Sequence, residues 1–483
     1  MEKRTEYLDE KLIAYAKSDI YPFHMPGHKR RVREEADPYA IDITEIDGFD
    51  NLHDAEEIIA GAQQRAAALY GAKKSYYLIN GSTCGILSAV SAATGRDGTI
   101  LMARNCHKAV YHAAYLRNLK TRYLYPVITR FGIQGVITPE SVEEALREDP
   151  GIQAVILTSP TYDGVVSDIG RIAEITHRYQ IPLIVDEAHG AHLGFDPYFP
   201  ETAVRLGADL VIQSMHKTLP SMTQTALLHV CSDRIDTGVL ERFLNIYETS
   251  SPSYVLMAGM ERCIRLLMEK GTELFAEYAS QLKTFYQNVD KLQKIEVFRG
   301  WELPETECFR FDPSKLVISA AGCGLTGQQL YQMLLEKYGL QMEMCSGEYV
   351  LAMTSFCDTG EGYERLFAAL SEIEAENCTA FIDTSMDAPV GGSDLTGFIS
   401  RIYRKNEKQS EIAQAVDLPG EEIELAAAAG RIAGDYVYLY PPGIPLLVPG
   451  ERIDAGTIAG IRECQKKNLN IKGVLNDRIN VVI

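Results

Sequence analysis

The chain has 483 residues, 46% hydrophobic and 23% charged, enough apolar material for a large core divided over two or three domains, which excludes disorder and small disulfide scaffolds. Lys+Arg 47 against Asp+Glu 66 leaves a formal charge of -19, which excludes a surface built to neutralise phosphate backbones and serves either solubility, the commoner use, or attraction of cationic small molecules. Ten scattered cysteines without a CxxC pair, an acidic start in place of a signal-peptide core, and no apolar run near the ~18 residues of a membrane span together predict a cytoplasmic protein with no membrane partner.

In chain order, residues 1–53 read as an irregular arm carrying PFHMPGHK and the acidic IDITEIDGFDNLHDA. HDAEEIIAGAQQRAAALYG follows with helical spacing, Asp54 placed to cap it and Gly71 to stop it. Short β-rich apolar runs then alternate with amphipathic stretches: SYYLI, TILMA, RYLYP, AVILTS, PLIVDEAH and ADLVIQS. That alternation predicts a mostly parallel central sheet within an α/β domain over 54–311, with any ligand just beyond the strand ends at Asn80, Ser159, Asp186 and Ser214. From residue 312 to 388, DPSKLVIS and GEYVLAMTS read as half-buried antiparallel strands around the helix TGQQLYQMLLEKYG, a smaller α+β domain. PVGGSDLTG near 389 resembles a linker to a last domain, 389–483, where the prolines of YVYLYPPGIPLLVPGE rule out a regular central strand.

Chemistry concentrates at the ends of those strands. Lys217 in SMHK closes a buried strand between hydroxyl and imidazole groups, where partial desolvation makes an amine a Schiff-base nucleophile. Asp186 closes the buried strand of PLIVDEAHGAHLG, and a buried carboxylate needs a cation such as a protonated pyridine nitrogen. Pyridoxal 5'-phosphate meets both demands: ring nitrogen on Asp186, aldehyde on Lys217, phenolic oxygen near His189. The plainer alternatives are a strand-end lysine in water, Asp186 as a helix cap and His189 as a core histidine.

A phosphate needs backbone amides and hydroxyls at a helix start, which NGSTCGILSAV supplies through Gly81, Ser82 and Thr83, with Ser214 and His216 on the far side. His107 in RNCHKAVYHA is placed to stack on the pyridine ring or, more plainly, to cap the next helix, while Cys106 beside it reads as a small buried apolar residue. DEAH without a GxxxxGK[ST] loop is no helicase box, and His189 with His192, lacking a third ligand at sensible spacing, makes no metal site.

The ordered set HMPGHK, NGST, NCHK, SPTYDG, DEAHGAH, SMHKTLPSMTQ and YPPGIPLLVPGE, spanning residues 22 to 451, resembles the Orn/Lys/Arg decarboxylase family, fold type I pyridoxal phosphate enzymes with the aspartate aminotransferase-like architecture. The short chain is similar to the smaller members labelled arginine or lysine decarboxylases. The resemblance implies Lys217 as the imine lysine, Asp186 on the pyridine nitrogen, His107 stacked on the ring, and Ser82, Thr83, Ser214 and His216 around the phosphate. It also implies His189 near the phenolic oxygen or substrate and Thr161 beside the cofactor.

The substrate implied is a basic L-amino acid, arginine converted to agmatine first, lysine or ornithine as alternatives, in polyamine metabolism. A homodimer or higher homo-oligomer with shared sites is implied too, with the HMPGHK arm a candidate contributor to the neighbouring site. Reprotonation of Cα is assigned to His216, Lys217 or a partner group. Thr218 and Leu219 stand where some members carry leucine and glycines, and FDNLH replaces a more acidic turn, which bears on substrate selection. Asp47, Asp50, Asp163, Asp435 and Glu451 are candidates for the distal cation, each more often a plain surface acid. Two other readings stay open: an aminotransferase or α-oxoamine synthase, although no arginine clamp is identified, and a non-catalytic binding protein, although such proteins commonly lose the lysine kept here.

Overall fold

The computed structural model describes residues 7–31, 37–129, 131–378, 399, 402–439, 443–467 and 469–483; the linker-like stretch near 389 lies outside the described residues. The arm contains α1 (Leu8–Lys17) and β1 (Tyr21–Phe23). Then come α2 (Ile58–Tyr70), β2 (Lys74–Leu78), α3 (Gly81–Ala93), β3 (Thr99–Ala103), α4 (Lys108–Leu116), β4 (Lys120–Leu124), α5 (Pro139–Glu148) and β5 (Ile152–Thr158). They are followed by β6 (Val165–Val166), α6 (Ile169–Arg178), β7 (Leu183–Asp186), β8 (Leu210–Gln213), α7 (Met215–Thr218) and β9 (Ala226–Val230).

The central sheet has seven strands in the order β2-β9-β8-β7-β5-β3-β4. Only β9 runs antiparallel to its neighbours β2 and β8; the pairs β3 with β4 and β5, β5 with β7, and β7 with β8 are parallel. Every residue of β3, β7, β8 and β9 is buried, as expected of strands covered by helices on both faces.

The start of α2 departs from the sequence reading. Asp54 lies in a separate 3-10 turn, and the amides leading into and opening α2 are held by Asp50, whose carboxylate accepts from the N–H groups of Asn51, Glu56, Glu57 and Ile59 at 2.8, 3.1, 2.9 and 2.9 Å. The left-handed Asp50 (φ 65) folds the chain back so that its own carboxylate reaches them. Gly71 ends the helix in the left-handed conformation at φ 83, as its position predicted.

After α8 (Thr237–Tyr247) and the long α9 (Tyr254–Val289), the chain forms β10 (Glu296–Val297), β11 (Arg310–Phe311), β12 (Lys315–Ser319), α10 (Gly327–Glu336), β13 (Leu340–Met342), β14 (Met344–Ser346), β15 (Tyr349–Met353) and α11 (Gly360–Cys378). Strands β10-β12-β15-β14 make an antiparallel sheet. Its two main strands are buried on both faces, against the half-buried expectation. The alternation is real but leads to two apolar clusters: Leu316, Ile318, Val350 and Ala352 enter the main core, while Val317, Leu351 and Met353 pack with Phe298 and Phe311. The arm is fastened to this region, because β1 pairs in parallel with β13, Tyr21 opposite Leu340.

The C-terminal residues build a cluster of their own around Ile402, Val437, Leu447, Ile461 and Val481. In its three-stranded sheet Val437–Leu439 is central and Ile444–Leu447, which contains Pro445, lies at an edge, where a missing N–H costs no ladder bond. This segment is tied to the end of β3 by a buried ion pair, Arg104 to Glu451 at 3.2 Å, and by an Arg104 bond to the Pro445 carbonyl at 2.9 Å. Cys323 is disulfide-bonded, which the scattered cysteine spacing did not predict. Among the described residues no helix is long and apolar enough to cross a membrane.

Candidate active site

Parallel strands β5, β7 and β8 and their neighbour β3 all deliver their C-terminal ends to one side of the sheet, and there a cavity opens. It is lined by six of the sequence-selected residues: Ser82, His107, Thr161, Asp186, His189 and Lys217. The site therefore gathers residues scattered from 82 to 217 because strand order brings β3, β5, β7 and β8 side by side.

Lys217 is carried by the single turn α7 that follows β8, and its Nζ lies 3.0 Å from His189 Nε2. Burial lowers its pKa, and the Asp186 and Glu343 carboxylates only partly oppose that shift. Asp186, 2% exposed, ends β7; its Oδ1 accepts from the Ala188 N–H at 3.1 Å. Burial raises its pKa despite the pull of Lys217. The plain reading of Asp186 as a helix cap does not hold, since the chain after it turns without forming a helix.

His189 is buried with its ring 4.7 Å from that of Tyr162, and its Nδ1 meets no partner among the described residues. Burial, reinforced by Lys217 and Lys315, drives its pKa well below the ordinary histidine value, so the ring is neutral. His107 does two things at once: it lines the cavity and it caps α4, its Nδ1 accepting from the Ala109 N–H at 3.2 Å. That bond leaves the proton on Nε2 of a ring whose pKa is lowered to about 3 by burial and by Lys217. Cys106 is a buried thiol pushed up to about 12 by burial and is unsuited to nucleophilic work.

The remaining selected residues stand behind or beside the cavity. The buried Ser214 donates from Oγ to Ser82 Oγ at 3.0 Å, joining the turn after β8 to the start of α3. Gly81 opens α3 at φ 73, and its place in a close turn against the Gln224 carbonyl suits a residue without a side chain. Thr83 in that first turn is exposed. His216 donates from Nδ1 to the Thr225 carbonyl at 3.0 Å; burial lowers its pKa to about 4. The first turn of α3 has no side-chain cap; Asn80 before it donates from its side-chain amide to the Tyr247 carbonyl at 3.1 Å.

Of the five candidate acids, the structure brings only Asp163 to the cavity. Asp50 is committed to the amides before α2, Glu451 to Arg104, and Asp47 and Asp435 are exposed. His192, the second histidine of HGAH, is bonded to Asp312 at 3.0 Å. The HMPGHK arm packs on its own chain: the Gly27 N–H donates to the His216 carbonyl at 2.8 Å, and Ser355 Oγ donates to the Gly27 carbonyl at 2.6 Å. Lys29 anchors the arm from within, donating to the Pro22, His24 and Met353 carbonyls at 3.1, 3.0 and 2.6 Å.

Six lining residues escaped sequence reasoning: Asn105, Gln134, Thr158, Tyr162, Ala188 and Ile444. Asn105 and Tyr162 stood inside the NCHK and SPTYDG motifs and were open to selection; Gln134 lies in a loop with no motif. Glu343 was missed as well, although it links the arm to the site by accepting from the Met25 N–H at 2.8 Å and the Tyr162 hydroxyl at 2.6 Å.

A family profile described as Orn/Lys/Arg decarboxylase, major domain, matches residues 7–319, and the C-terminal domain profile of the same family matches 401–466. The chain is 30% identical over 477 residues to an arginine decarboxylase of Bacillus anthracis, covering 96% of this chain and 93% of that protein. It is likewise 30% identical over 483 residues to the arginine decarboxylase of Bacillus subtilis, covering 98% and 96%. The Francisella novicida lysine decarboxylase structure superposes with a TM-score of 0.79 at 19% identity, covering 98% of this chain and 80% of that one. A ureidoglycine-glyoxylate aminotransferase from Bacillus subtilis matches at a TM-score of 0.57 and 12% identity, covering 77% and 95%. The fold is the fold type I architecture of these neighbours, and the chain belongs to the Orn/Lys/Arg decarboxylase family of amino acid decarboxylases.

Proposed function

We propose that the protein binds pyridoxal 5'-phosphate and decarboxylates L-arginine to agmatine. The observation that carries this reading is the convergence of Lys217, Asp186, His107 and His189 on one cavity at the carboxyl ends of the sheet. The residues fit the cofactor on the chemistry of their donors and acceptors. Asp186 is a buried acid suited to a pyridinium N–H, His189 Nδ1 is buried without a partner among the described residues, and the uncapped start of α3 with the Ser82 hydroxyl, itself oriented by accepting from Ser214, offers donors to a phosphate. When bound, the cofactor supplies an electron-accepting pyridinium that takes up the electron pair of the breaking Cα–carboxylate bond.

The protein's own groups do the rest. Asp186 keeps a proton on the ring nitrogen by ion pairing inside a low-dielectric site. Lys217, whose pKa burial lowers, gives up its proton more readily than an exposed lysine and so is the nucleophile of the site, its Nζ within 3.0 Å of neutral His189. His107, neutral and fixed by its bond to Ala109, provides a flat uncharged face beside the site. Apolar lining from Ala188 lowers the polarity of the cavity, which favours loss of a carboxylate whose charge disperses as carbon dioxide leaves.

Arginine is favoured over lysine because relatives at about 30% identity are arginine decarboxylases, whereas the Escherichia coli constitutive lysine decarboxylase is 24% identical. The family resemblance extends the reading to a cytoplasmic homodimer whose agmatine enters polyamine synthesis. The test is to incubate the pyridoxal-loaded protein with arginine, lysine and ornithine and identify products by mass spectrometry. Agmatine with carbon dioxide is the expected result; a 2-oxo acid would convert the reading to a transaminase, and cadaverine or putrescine alone would replace the substrate.

A further inference from the structure

One wall of the cavity is made of acceptors that the cofactor reading does not use. The side-chain oxygens of Asn105 (Oδ1) and Gln134 (Oε1) are buried and meet no donor among the described residues, and both residues line the cavity. Asp163 lines it too, 7% exposed, with the Tyr349 hydroxyl donating to its Oδ1 at 2.9 Å. Burial pushes the Asp163 carboxyl up to about 6, more than the Tyr349 hydrogen bond and the Lys315 charge bring it down. The three side chains arrive on separate segments, one after β3, one in the loop between β4 and α5, and one after β5.

Unpartnered buried acceptors on residues that line one cavity call for a ligand rich in donors. The Asp163 carboxylate disfavours a phosphate or a second carboxylate beside it, which separates this wall from the donor-rich start of α3. A guanidinium presents five N–H donors in a plane and no acceptor, whereas an ammonium presents three from a single point. Resting on the decarboxylase reading, we propose that Asn105, Gln134 and Asp163 form the subsite that receives the distal guanidinium of the substrate and so selects arginine over lysine and ornithine. Ile444, brought in from the C-terminal cluster, supplies apolar surface on the same cavity for the methylene chain.

The experiment compares Gln134→Leu and Asp163→Asn with the native holoenzyme in steady-state kinetics and in calorimetric titrations with agmatine and with butylamine, which lacks the guanidinium. Losing a hydrogen bond to a charged group predicts an arginine KM raised roughly 10-fold in Gln134→Leu, and losing the buried charge partner predicts a rise of at least roughly 30-fold in Asp163→Asn. The agmatine dissociation constant should rise in parallel, the butylamine constant should stay level, and the visible absorbance of the bound cofactor should be unchanged. Retained arginine KM and agmatine affinity in both variants, with that absorbance intact, would overturn the subsite, as would equal losses for butylamine. A native enzyme that yields no agmatine from arginine yet binds agmatine with this variant dependence would instead overturn the decarboxylase reading and leave the subsite standing.

Discussion

Gly27 of the HMPGHK arm is where a single methyl group should disturb the turn that carries Lys217 without touching the lysine itself. A Cβ placed there would lie 2.7 Å from both the Leu219 nitrogen and the Thr218 carbonyl carbon and 2.8 Å from the Leu219 oxygen. All three are backbone atoms of the turn that carries Lys217, so no side chain can swing aside. Restoring an ordinary 3.4 Å contact requires about 0.7 Å of separation between arm and turn. Such overpacking costs about 1–3 kcal/mol in stability. The arm is held at its back by Ser355 and Lys29, so much of the shift falls on Lys217. A misplacement approaching 1 Å costs up to about 100-fold in rate, and Gly27→Ala is accordingly expected to lower kcat on the order of 10-fold to 100-fold. Thermal unfolding and steady-state kinetics on arginine measure both effects, and the cofactor absorbance reports whether Lys217 still engages it. A variant with native kcat and an unchanged unfolding temperature would refute the claim that this close approach positions the lysine.

Other perturbations separate chemistry from scaffolding. Asp186→Asn should retain cofactor by absorbance and lose most of kcat, since an amide cannot hold the ring proton by charge; native turnover would remove the electron-sink role. Arg104→Met leaves Glu451 buried at 1% exposure without its cation, and denaturant titration should show a loss of about 3–5 kcal/mol, against which an unchanged midpoint would count decisively. Asp163, with its pKa pushed up to about 6, is neutral below that pH and ionised above it, so the arginine KM should fall as pH rises through about 6 and level off beyond. Tyr349 and Lys315 are the groups that temper this titration, and a KM flat across the same range would show that Asp163 does not meet the guanidinium.

Much of the architecture was legible because its signals are local. Continuous apolar runs ending in Asn80, Ser159, Asp186 and Ser214 gave the parallel strands and, with them, the side of the sheet where a ligand sits. Lys217 and Asp186 stood out since charged groups at the ends of buried strands demand partners. What stayed hidden depends on contacts between distant segments. Asp50 replaced Asp54 at α2 through a left-handed backbone turn that no propensity rule marks. Antiparallel β9 was not singled out, because ALLHV carries no signature of its direction against β2 and β8. Gln134 and Ile444 reach the cavity only after the loop following β4 and the C-terminal cluster fold against the sheet, and Glu343 meets Met25 across a pairing of arm and small domain. His107 was read as either a cap or a ring-facing residue, and the geometry lets it be both.

The most direct measurement is to reduce the pyridoxal-loaded protein with borohydride, digest it and map the modified peptide by mass spectrometry. A pyridoxyl group on Lys217 alone is the expected outcome, and its absence from the Asp186→Asn protein is not, because that variant should still load. Modification at another lysine, or none with cofactor present in excess, would contradict the assignment of this cavity as the catalytic site.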